Sequence, residues 1–338
     1  MFSVVDCLPL KLVLLLASPY LAGVNGEEAI KIGHRVFERD HFCGTIDILG
    51  ESATSVEMCE TYVNMFLHLI NAVLANRLPV SNEREQFTIS MKPSMFSPCV
   101  PADGSTNRRQ FDEALNRMAR VVDYAFRHKI RVTLEAEDEQ WADFQLQSYF
   151  SLINAGYNNL GTVLQSRLFR TAKDIERFDK RMRVRLVIGA YMEPAAIAYT
   201  DKAKMKELLV QYAGQLLSKG VYVELASHDA HCIESFFREI VISQKVQADR
   251  FETQFLLGVP RVKLERALLN GDFFRNLIGD WDPAAKEHLR ILSESGVIVR
   301  MYLPFGQDNM AGPYCKRRLK RNPNMLVYGI KNLLGIES

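Results

Sequence analysis

The sequence predicts an α/β protein whose main domain is a closed (βα)8 barrel of the TIM type. Short apolar runs rich in β-branched residues recur along the chain, and a longer segment with helical periodicity follows most of them. Runs of this kind are typical of parallel strands that helices cover on the outside. The eight runs lie at 44–50, 87–94, 131–137, 159–166, 183–190, 221–229, 251–258 and 296–304. Eight strand–helix units in succession favour a barrel, which we expect to be somewhat distorted.

The segments between the runs carry the 3.6-residue period of amphipathic helices. Segment 55–74 places Val56, Cys59, Val63, Phe66 and Ile70 on one face, and 111–126 repeats the pattern. Segments 205–217 and 233–242 are shorter versions. The main rival fold is an open doubly wound sheet, but no run is followed by the G-x-G-x-x-G fingerprint of a Rossmann domain. The barrel is therefore the better prediction.

Composition limits the function classes. Of the 338 residues, 48% are hydrophobic and 24% are charged, which suits a globular enzyme with a large core. The 42 basic and 40 acidic residues leave a net charge of only +2, so we expect no nucleic-acid partner. The six cysteines are scattered with no Cys-x-x-Cys pair, which indicates reduced thiols in a cytoplasmic protein.

The beginning of the chain is open to two interpretations. Residues 8–24 are largely apolar, as in a signal or anchor, but Asp6 precedes them and Pro9, Lys11 and Pro19 interrupt them. A secretory signal has a basic start and an unbroken apolar centre. The alternative is a first helix packed on the body of the protein. We therefore expect a helical segment over 1–30 and the catalytic barrel over 31–338.

Barrel enzymes build their active sites where the strands end, so the residues at these positions are candidates. They are Lys92, Glu135, Gln165, Arg185, Tyr191, His228, Asp229, Leu256 and Tyr302. A mouth with Lys, Arg and Glu but few metal ligands indicates an anionic cofactor or substrate. His228, Asp229 and His231 are close in sequence, but their spacing matches no standard metal site, so we predict no metal.

Two charged clusters could be either functional or merely solvated. Glu135 and Glu137 alternate, which predicts that one face of the third strand carries both, although Asp138 and Glu139 suggest a loop. The second cluster, 314–318, is predicted to open the last helix after Gly312 and Pro313. Adjacent arginines diverge by about 100° on a helix and can reach one small anion only if the helix begins over the barrel mouth. A carboxylate is the anion that guanidinium groups fit best.

Several motifs in these positions resemble the proline dehydrogenase family, over about 22–334. Residues 185–191 (RLVIGAY) are similar to the family's R-L-V-K-G-A-Y. Residues 302–306 (YLPFG) and 314–319 (YCKRRL) are similar to Y-x-P-x-G and Y-x-x-R-R-L. Supporting matches are 226–229 (ASHD), 254–258 (QFLLG), Gln165 and the lone strand residue Lys92.

The resemblance implies an FAD-dependent enzyme that oxidises L-proline to 1-pyrroline-5-carboxylate. Its flavin would lie across the barrel mouth, lined by Ala136, Gln165, Ile188, Gly189, Ala190, Ser227 and His228. Arg185 would face flavin N5, with Lys92 and Glu135 beside the substrate. The last helix would cover the mouth, where Arg317 and Arg318 would hold the proline carboxylate and Leu256, Tyr302 and Tyr314 would enclose its ring.

The resemblance also implies partners and leaves alternatives. Electrons would pass to a membrane quinone, so we expect a cytoplasmic protein that contacts the membrane peripherally, and a separate dehydrogenase would process the pyrroline product. Three residues depart from the family pattern: Ile188 replaces a basic residue, Glu135 an aspartate and Arg321 an acidic residue. The alternatives are a hydroxyproline dehydrogenase, a flavin-free metal-dependent hydrolase using His228 and His231, and a catalytically silent binding module.

Overall fold

In the computed structural model, which describes residues 8–100 and 108–321, eight parallel strands close into a barrel in chain order. The strands are β1 Cys43–Ile48, β2 Thr88–Met91, β3 Val132–Leu134, β4 Leu160–Gln165, β5 Arg183–Val187, β6 Tyr222–Ala226, β7 Phe251–Leu256 and β8 Val299–Phe305. Strand β8 pairs with β1 along its whole length and closes the barrel. The predicted barrel is confirmed.

Helices cover the outside of this barrel. They are α1 Leu10–Ala17, α2 Gly26–Asp40, α3 Val56–Ala75, α4 Arg108–Arg127, α5 Glu139–Asn154, α6 Thr171–Asp174, α7 Lys202–Ser218, α8 Ala230–Ser235, α9 Val262–Leu269, α10 Asp272–Arg275, α11 Pro283–Ser295 and α12 Asp308–Arg321. Side chains that accept a hydrogen bond from the first turn fix several helix starts. Asn25 caps α2, Ser55 caps α3 and Asp282 caps α11 in this way.

Three elements differ from their predicted bounds. Strand β3 ends at Leu134, so Glu135 and Glu137 follow it and do not share a strand face. The predicted helix 233–242 is α8 followed by a π-helix over Phe236–Ile242. The last helix begins at Asp308 and contains Pro313, whereas Pro313 was predicted to precede it. A proline early in a helix removes one hydrogen bond and does not have to mark the boundary.

The interior of the barrel is charged. Arg300 of β8 donates to Glu252 of β7 at 2.6 Å and to the backbone oxygen of Gly44 at 3.1 Å. Arg183 of β5 donates to Glu224 of β6 and, at 3.0 Å, to the hydroxyl of Thr133. Buried ions are tolerated when they are paired and hydrogen-bonded. The main apolar core lies between the strands and the helices.

A second, smaller apolar cluster joins the beginning of the chain to α12. It contains Val13, Ala17, Tyr20, Leu256, Cys315 and Leu319. Gly258, after β7, has φ +79°, and a Cβ there would lie 2.2 Å from the backbone oxygen of Pro19. The apolar run 8–24 is thus packed on the body as α1 and a short 3-10 turn over Ser18–Tyr20. Within the described residues, no helix is long and apolar enough to cross a membrane.

Helix α2 packs against β1 and β8. Its range, Gly26–Asp40, includes residue 30, where the predicted boundary between the N-terminal segment and the barrel falls. Gly33 on α2 allows a close approach, since a Cβ there would lie 2.5 Å from the ring of Phe87. The division of the chain at residue 30 stays a prediction.

Candidate active site

An ion pair between Arg185 and Glu135 lies at the centre of the barrel mouth. Arg185 points inward from β5, and its Nη1 donates to Oε1 of Glu135. The same oxygen accepts from the Ser90 hydroxyl at 2.5 Å and from the Tyr302 hydroxyl at 3.3 Å. The Arg185 guanidinium also lies 5.2 Å from the centre of the Tyr302 ring. Strands β2, β3, β5 and β8 therefore converge on one carboxylate.

Arg185 is held as a cation. Burial opposes its charge, but the carboxylates of Glu135 and Glu224 outweigh burial and raise the pKa of Arg185 above its usual value. Its Nε lies 3.4 Å from Oε2 of Glu224. Among the described residues, neither Nε nor Nη2 of Arg185 has a hydrogen-bond partner. A buried guanidinium with spare donors is suited to an acceptor-bearing ligand.

Tyr302 is held in the protonated form. Burial, followed by the nearby carboxylates of Asp47 and Glu135, raises the pKa of Tyr302 well above its ordinary value. Its hydroxyl is therefore a hydrogen-bond donor to Glu135 at any physiological pH. Its ring shares the α1–α12 apolar cluster with Leu256 and Tyr314. These are the three residues predicted to enclose the substrate ring, and the structure brings them together.

Lys92, which follows β2, is fully engaged by its neighbours. Its ammonium donates to Oδ1 and Oδ2 of Asp47 at 2.8 and 2.9 Å and to the backbone oxygen of Ile48 at 3.1 Å. Burial would lower the pKa of Lys92, but the Asp47 carboxylate outweighs it and raises the pKa. An ammonium has three donors, and all three are used. Lys92 is thus placed at the mouth as one half of an ion pair with Asp47.

Glu137 turns away from Glu135 and ties the loops of the mouth together. Its two carboxylate oxygens accept from the backbone N–H and hydroxyl of Ser94 at 2.8 and 2.6 Å. Its backbone oxygen accepts from Gln165 at 2.8 Å. Burial raises the pKa of Glu137 to about 7, against the opposing hydrogen bonds from Ser94. This carboxyl therefore changes its charge near neutral pH.

His228 is a neutral ring whose Nε2 is already occupied. The backbone N–H of Leu256 donates to His228 Nε2 at 2.9 Å, and Arg261 donates to the His228 backbone oxygen, also at 2.9 Å. Burial, assisted by the charges of Arg261 and Arg318, lowers the pKa of His228 to about 4. An Nε2 that accepts a hydrogen bond is not available to a metal. No three His, Cys, Asp or Glu side chains form a metal-binding group within the described ranges.

A cradle formed by Gln165 of β4 and the backbone of Gly189 after β5 lies at the mouth. Gly189 has φ +112°, and a Cβ there would lie 2.5 Å from Oε1 of Gln165 and 2.8 Å from Cδ of Arg167, so only glycine allows these side chains to approach. The buried Oε1 of Gln165 has no hydrogen-bond partner among the described residues. An unsatisfied acceptor of this kind fits a ring that carries an N–H donor. The other predicted cofactor residues, Ala136, Ile188, Ala190, Ser227 and His228, follow the ends of β3, β5 and β6.

Helix α12 brings a cation to the mouth. The Arg318 guanidinium lies 5.2 Å from the centre of the Tyr314 ring. Arg318 also lies within electrostatic reach of His228, Tyr302 and Tyr191. Arg317 and Arg321 belong to α12, but their side chains lie outside the described part of the structure. The predicted pair of arginines is thus described for Arg318 only.

Comparison with known proteins identifies the family. The family model described as "Proline dehydrogenase" matches residues 33–326, which is most of the chain. The chain belongs to the proline dehydrogenase family. A proline dehydrogenase of Deinococcus radiodurans is 28% identical over 94% of this chain and 90% of its own length. Proline dehydrogenase 1 of Bacillus subtilis strain 168 is 27% identical over the same shares of the two chains.

Solved structures share the fold. Proline utilization A of Bdellovibrio bacteriovorus, inactivated by N-propargylglycine, superposes with a TM-score of 0.71 at 19% identity. A mutant proline utilization A of Bradyrhizobium japonicum gives 0.69 at 19% identity. Each comparison covers 90% of this chain but only 32% and 30% of those longer chains. The chain therefore spans about a third of each of these proteins and shares their barrel.

Membership of the proline dehydrogenase family makes this protein an oxidoreductase of proline catabolism. The sequence pattern identified Lys92, Glu135 and Arg185 but not their partners Asp47, Ser90 and Glu224. Each of these stands in or beside an apolar run, where a lone polar residue reads as an interruption of a strand. The only signal for these partners in the sequence was one polar residue within each of three apolar runs.

Proposed function

We propose that this protein oxidises L-proline to 1-pyrroline-5-carboxylate with FAD as the bound electron acceptor. The observation that carries the proposal is the buried Arg185, which is fixed by Glu135 at the barrel mouth and still has free donor nitrogens. A fixed cation of this kind stabilises negative charge that develops on a cofactor during reduction.

The cradle supports the choice of FAD. Gln165 Oε1, which lies close to the backbone of Gly189, offers an unused acceptor, and Arg185 offers unused donors. Ala136, Ile188, Ala190, Ser227 and His228 would complete the lining. When bound, FAD supplies a two-electron acceptor that takes a hydride from C5 of proline. Ile188 offers no charge where the family pattern has a basic residue, so backbone groups would carry this part of the contact.

The chain's own residues would bind and orient proline. Arg318, together with Arg317, would hold the carboxylate, because guanidinium groups pair well with carboxylates. Tyr302, Tyr314 and Leu256 would enclose the ring and exclude water. Glu135 would accept a hydrogen bond from the substrate nitrogen, which gives up one proton as the hydride leaves C5. Lys92 would act on the substrate only indirectly, through its ion pair with Asp47 at the base of the site.

The partners follow from the family resemblance. Electrons would pass from the protein to a membrane quinone, and a separate pyrroline-carboxylate dehydrogenase would process the product. Peripheral contact with the membrane would bring the protein to the quinone. Among the described cysteines, Cys43, Cys59, Cys99 and Cys232 are free thiols, which favours the cytoplasm.

An absorbance spectrum tests the proposal directly. We expect the purified protein to be yellow, to release FAD on denaturation, and to lose its visible flavin absorbance when proline is added without oxygen. A colourless protein that does not take up added FAD would overturn the assignment of the cofactor. Bleaching by 4-hydroxyproline in preference to proline would move the assignment to a hydroxyproline dehydrogenase.

A further inference from the structure

Glu224 is a carboxylate placed deep inside the barrel. It lies in the middle of β6, in register with Arg185 of β5 on one side and with Glu252 of β7 on the other. Only 1% of the residue is exposed. An ionised carboxylate in such a place is costly unless cations surround it, and removal of its partners leaves an uncompensated charge. The cations around Glu224 therefore decide its role.

Two arginines share this carboxylate. Arg183 donates to Oε1, and Arg185 approaches Oε2 with its Nε at 3.4 Å. Burial would raise the pKa of Glu224, but the charges of Arg183 and Arg185 outweigh burial and hold the pKa well below its usual value. Glu224 is therefore held in its ionised form. It contributes a permanent negative charge on the inner side of Arg185.

These residues form a line of alternating charge from the barrel interior to its mouth. The order is Arg183, Glu224, Arg185 and Glu135. The inner end is anchored, because Arg183 also donates to the hydroxyl of Thr133 at 3.0 Å and to the backbone oxygen of Val132 at 2.7 Å. Arg185 consequently has one carboxylate on the side of the mouth and another behind it.

We propose that Glu224 is a positioning residue that fixes Arg185 from behind and limits how much of its positive charge acts on the bound cofactor. The inference rests on the FAD function proposed above and names a residue for which that function assigns no role. Glu135 holds only one end of the guanidinium, at Nη1. Glu224 provides a second ionic contact, at Nε, and a second negative charge beside Arg185.

The test replaces Glu224 by glutamine and uses Glu252→Gln as a matched control. Glu252 is also fully buried and stands beside Glu224 in the neighbouring strand, but it pairs with Arg300 at 2.6 Å and not with Arg185. The readouts are FAD content and the midpoint potential of the bound flavin, alongside kcat and KM. Loss of the negative charge leaves Arg185 less neutralised and favours the reduced, more negative flavin.

We expect Glu224→Gln to bind FAD. At a fixed ambient potential, its ratio of reduced to oxidised flavin should be on the order of tenfold higher than in the wild type, which corresponds to a midpoint potential about 30 mV higher for a two-electron couple. The Glu252→Gln variant should change this ratio by less than about threefold, because its charge is not coupled to Arg185. If Glu224→Gln does not fold, Glu224→Asp carries the test. Aspartate keeps the charge but places it farther from Arg185, so we expect the ratio of reduced to oxidised flavin to rise about threefold.

The possible outcomes distinguish failure of the proposed role of Glu224 from failure of the proposed FAD-dependent function. An unchanged potential in a folded, FAD-loaded Glu224 variant would overturn the role of Glu224, as would equal shifts in the Glu224 and Glu252 variants. If Glu224→Gln does not fold, an unchanged potential in Glu224→Asp would do the same. A wild-type protein that binds no FAD would overturn the proposed function before any variant is compared.

Discussion

Glu135 reaches across the barrel mouth to Arg185, although their strands β3 and β5 are separated by β4. Glu135 stands where the resemblance to the family gives an aspartate, and its carboxylate contacts both Arg185 and Ser90 in this protein. The substitution therefore keeps a carboxylate at the mouth. It also makes that carboxylate the centre of a hydrogen-bond network that includes Tyr302.

The first prediction concerns this network. Glu135→Gln removes one of the two charges that neutralise Arg185 and should lower kcat/KM for proline roughly 10- to 150-fold, as expected for charge-assisted hydrogen bonds worth about 1.5–3 kcal/mol. Steady-state kinetics with an artificial electron acceptor measures the effect. Glu139→Gln, a change at the start of α5, should cost less than about threefold. Similar losses in both variants would argue against a special role for Glu135.

The second prediction concerns Arg318. Arg318→Met should reduce kcat/KM for proline roughly 10- to 150-fold with little change in flavin content, because a charge-assisted contact to the carboxylate is lost. Arg318→Lys should restore only part of the loss, since an ammonium cannot form a planar bidentate contact. We expect the same of Arg317.

Neighbouring lysines on the same helix provide the control for the arginines. Lys316→Met and Lys320→Met should change kcat/KM by less than about threefold, as is usual for surface charges. Affinity for a carboxylate-bearing ring inhibitor should fall in parallel with kcat/KM in the arginine variants alone. Small and equal effects at all four positions would mean that this face of α12 is only solvated.

The third prediction separates the ring of Tyr302 from its hydroxyl. Tyr302→Phe keeps the ring and loses the hydroxyl that contacts Glu135 and Asp47, so kcat/KM should fall about 2- to 10-fold, as for a hydrogen bond worth about 0.5–1.5 kcal/mol. Tyr302→Ser opens space beside the substrate and should narrow the preference for proline over 4-hydroxyproline. A wild-type protein that already prefers hydroxyproline would contradict the assignment.

The fourth prediction uses the titration of Glu137. Its pKa is raised to about 7 in the folded protein from about 4.5 when unfolded, so the folded state binds more protons between these values. Stability is therefore lost as the pH rises from 4.5 to 7. Glu137→Gln imitates the protonated form and should gain about 2–3 kcal/mol relative to the wild type between pH 5 and pH 8.5.

Urea denaturation at the two pH values measures this gain. Glu139→Gln serves again as the control, because its carboxylate is not held by Ser94. A constant difference between Glu137→Gln and the wild type at all pH values would show that Glu137 is ionised throughout.

The sequence was sufficient to locate many residues of the mouth, because the apolar run that predicts a strand also shows which residues stand at its end. Lys92, Gln165, Arg185 and Leu256 could be found in this way. Their partners on other strands could not be found in this way. The contact between Arg185 and Glu224, for example, depends on the register of β5 and β6. The divergence of Glu135 and Glu137 was missed because strand alternation was extended beyond Leu134, where β3 ends.

The apolar cluster that joins α1 to α12 has a consequence for protein synthesis. Helix α1 leaves the ribosome first, but its partners Leu256, Cys315 and Leu319 follow much later. At about 5–20 residues per second, Val13 and Ala17 stay uncovered for many seconds after they emerge. The nascent chain therefore completes all eight strands before the helix that carries Arg318 exists. The proposed carboxylate-binding residue Arg318 is therefore made after the barrel, and until α12 is made, helix α1 exposes apolar side chains that chaperones can bind.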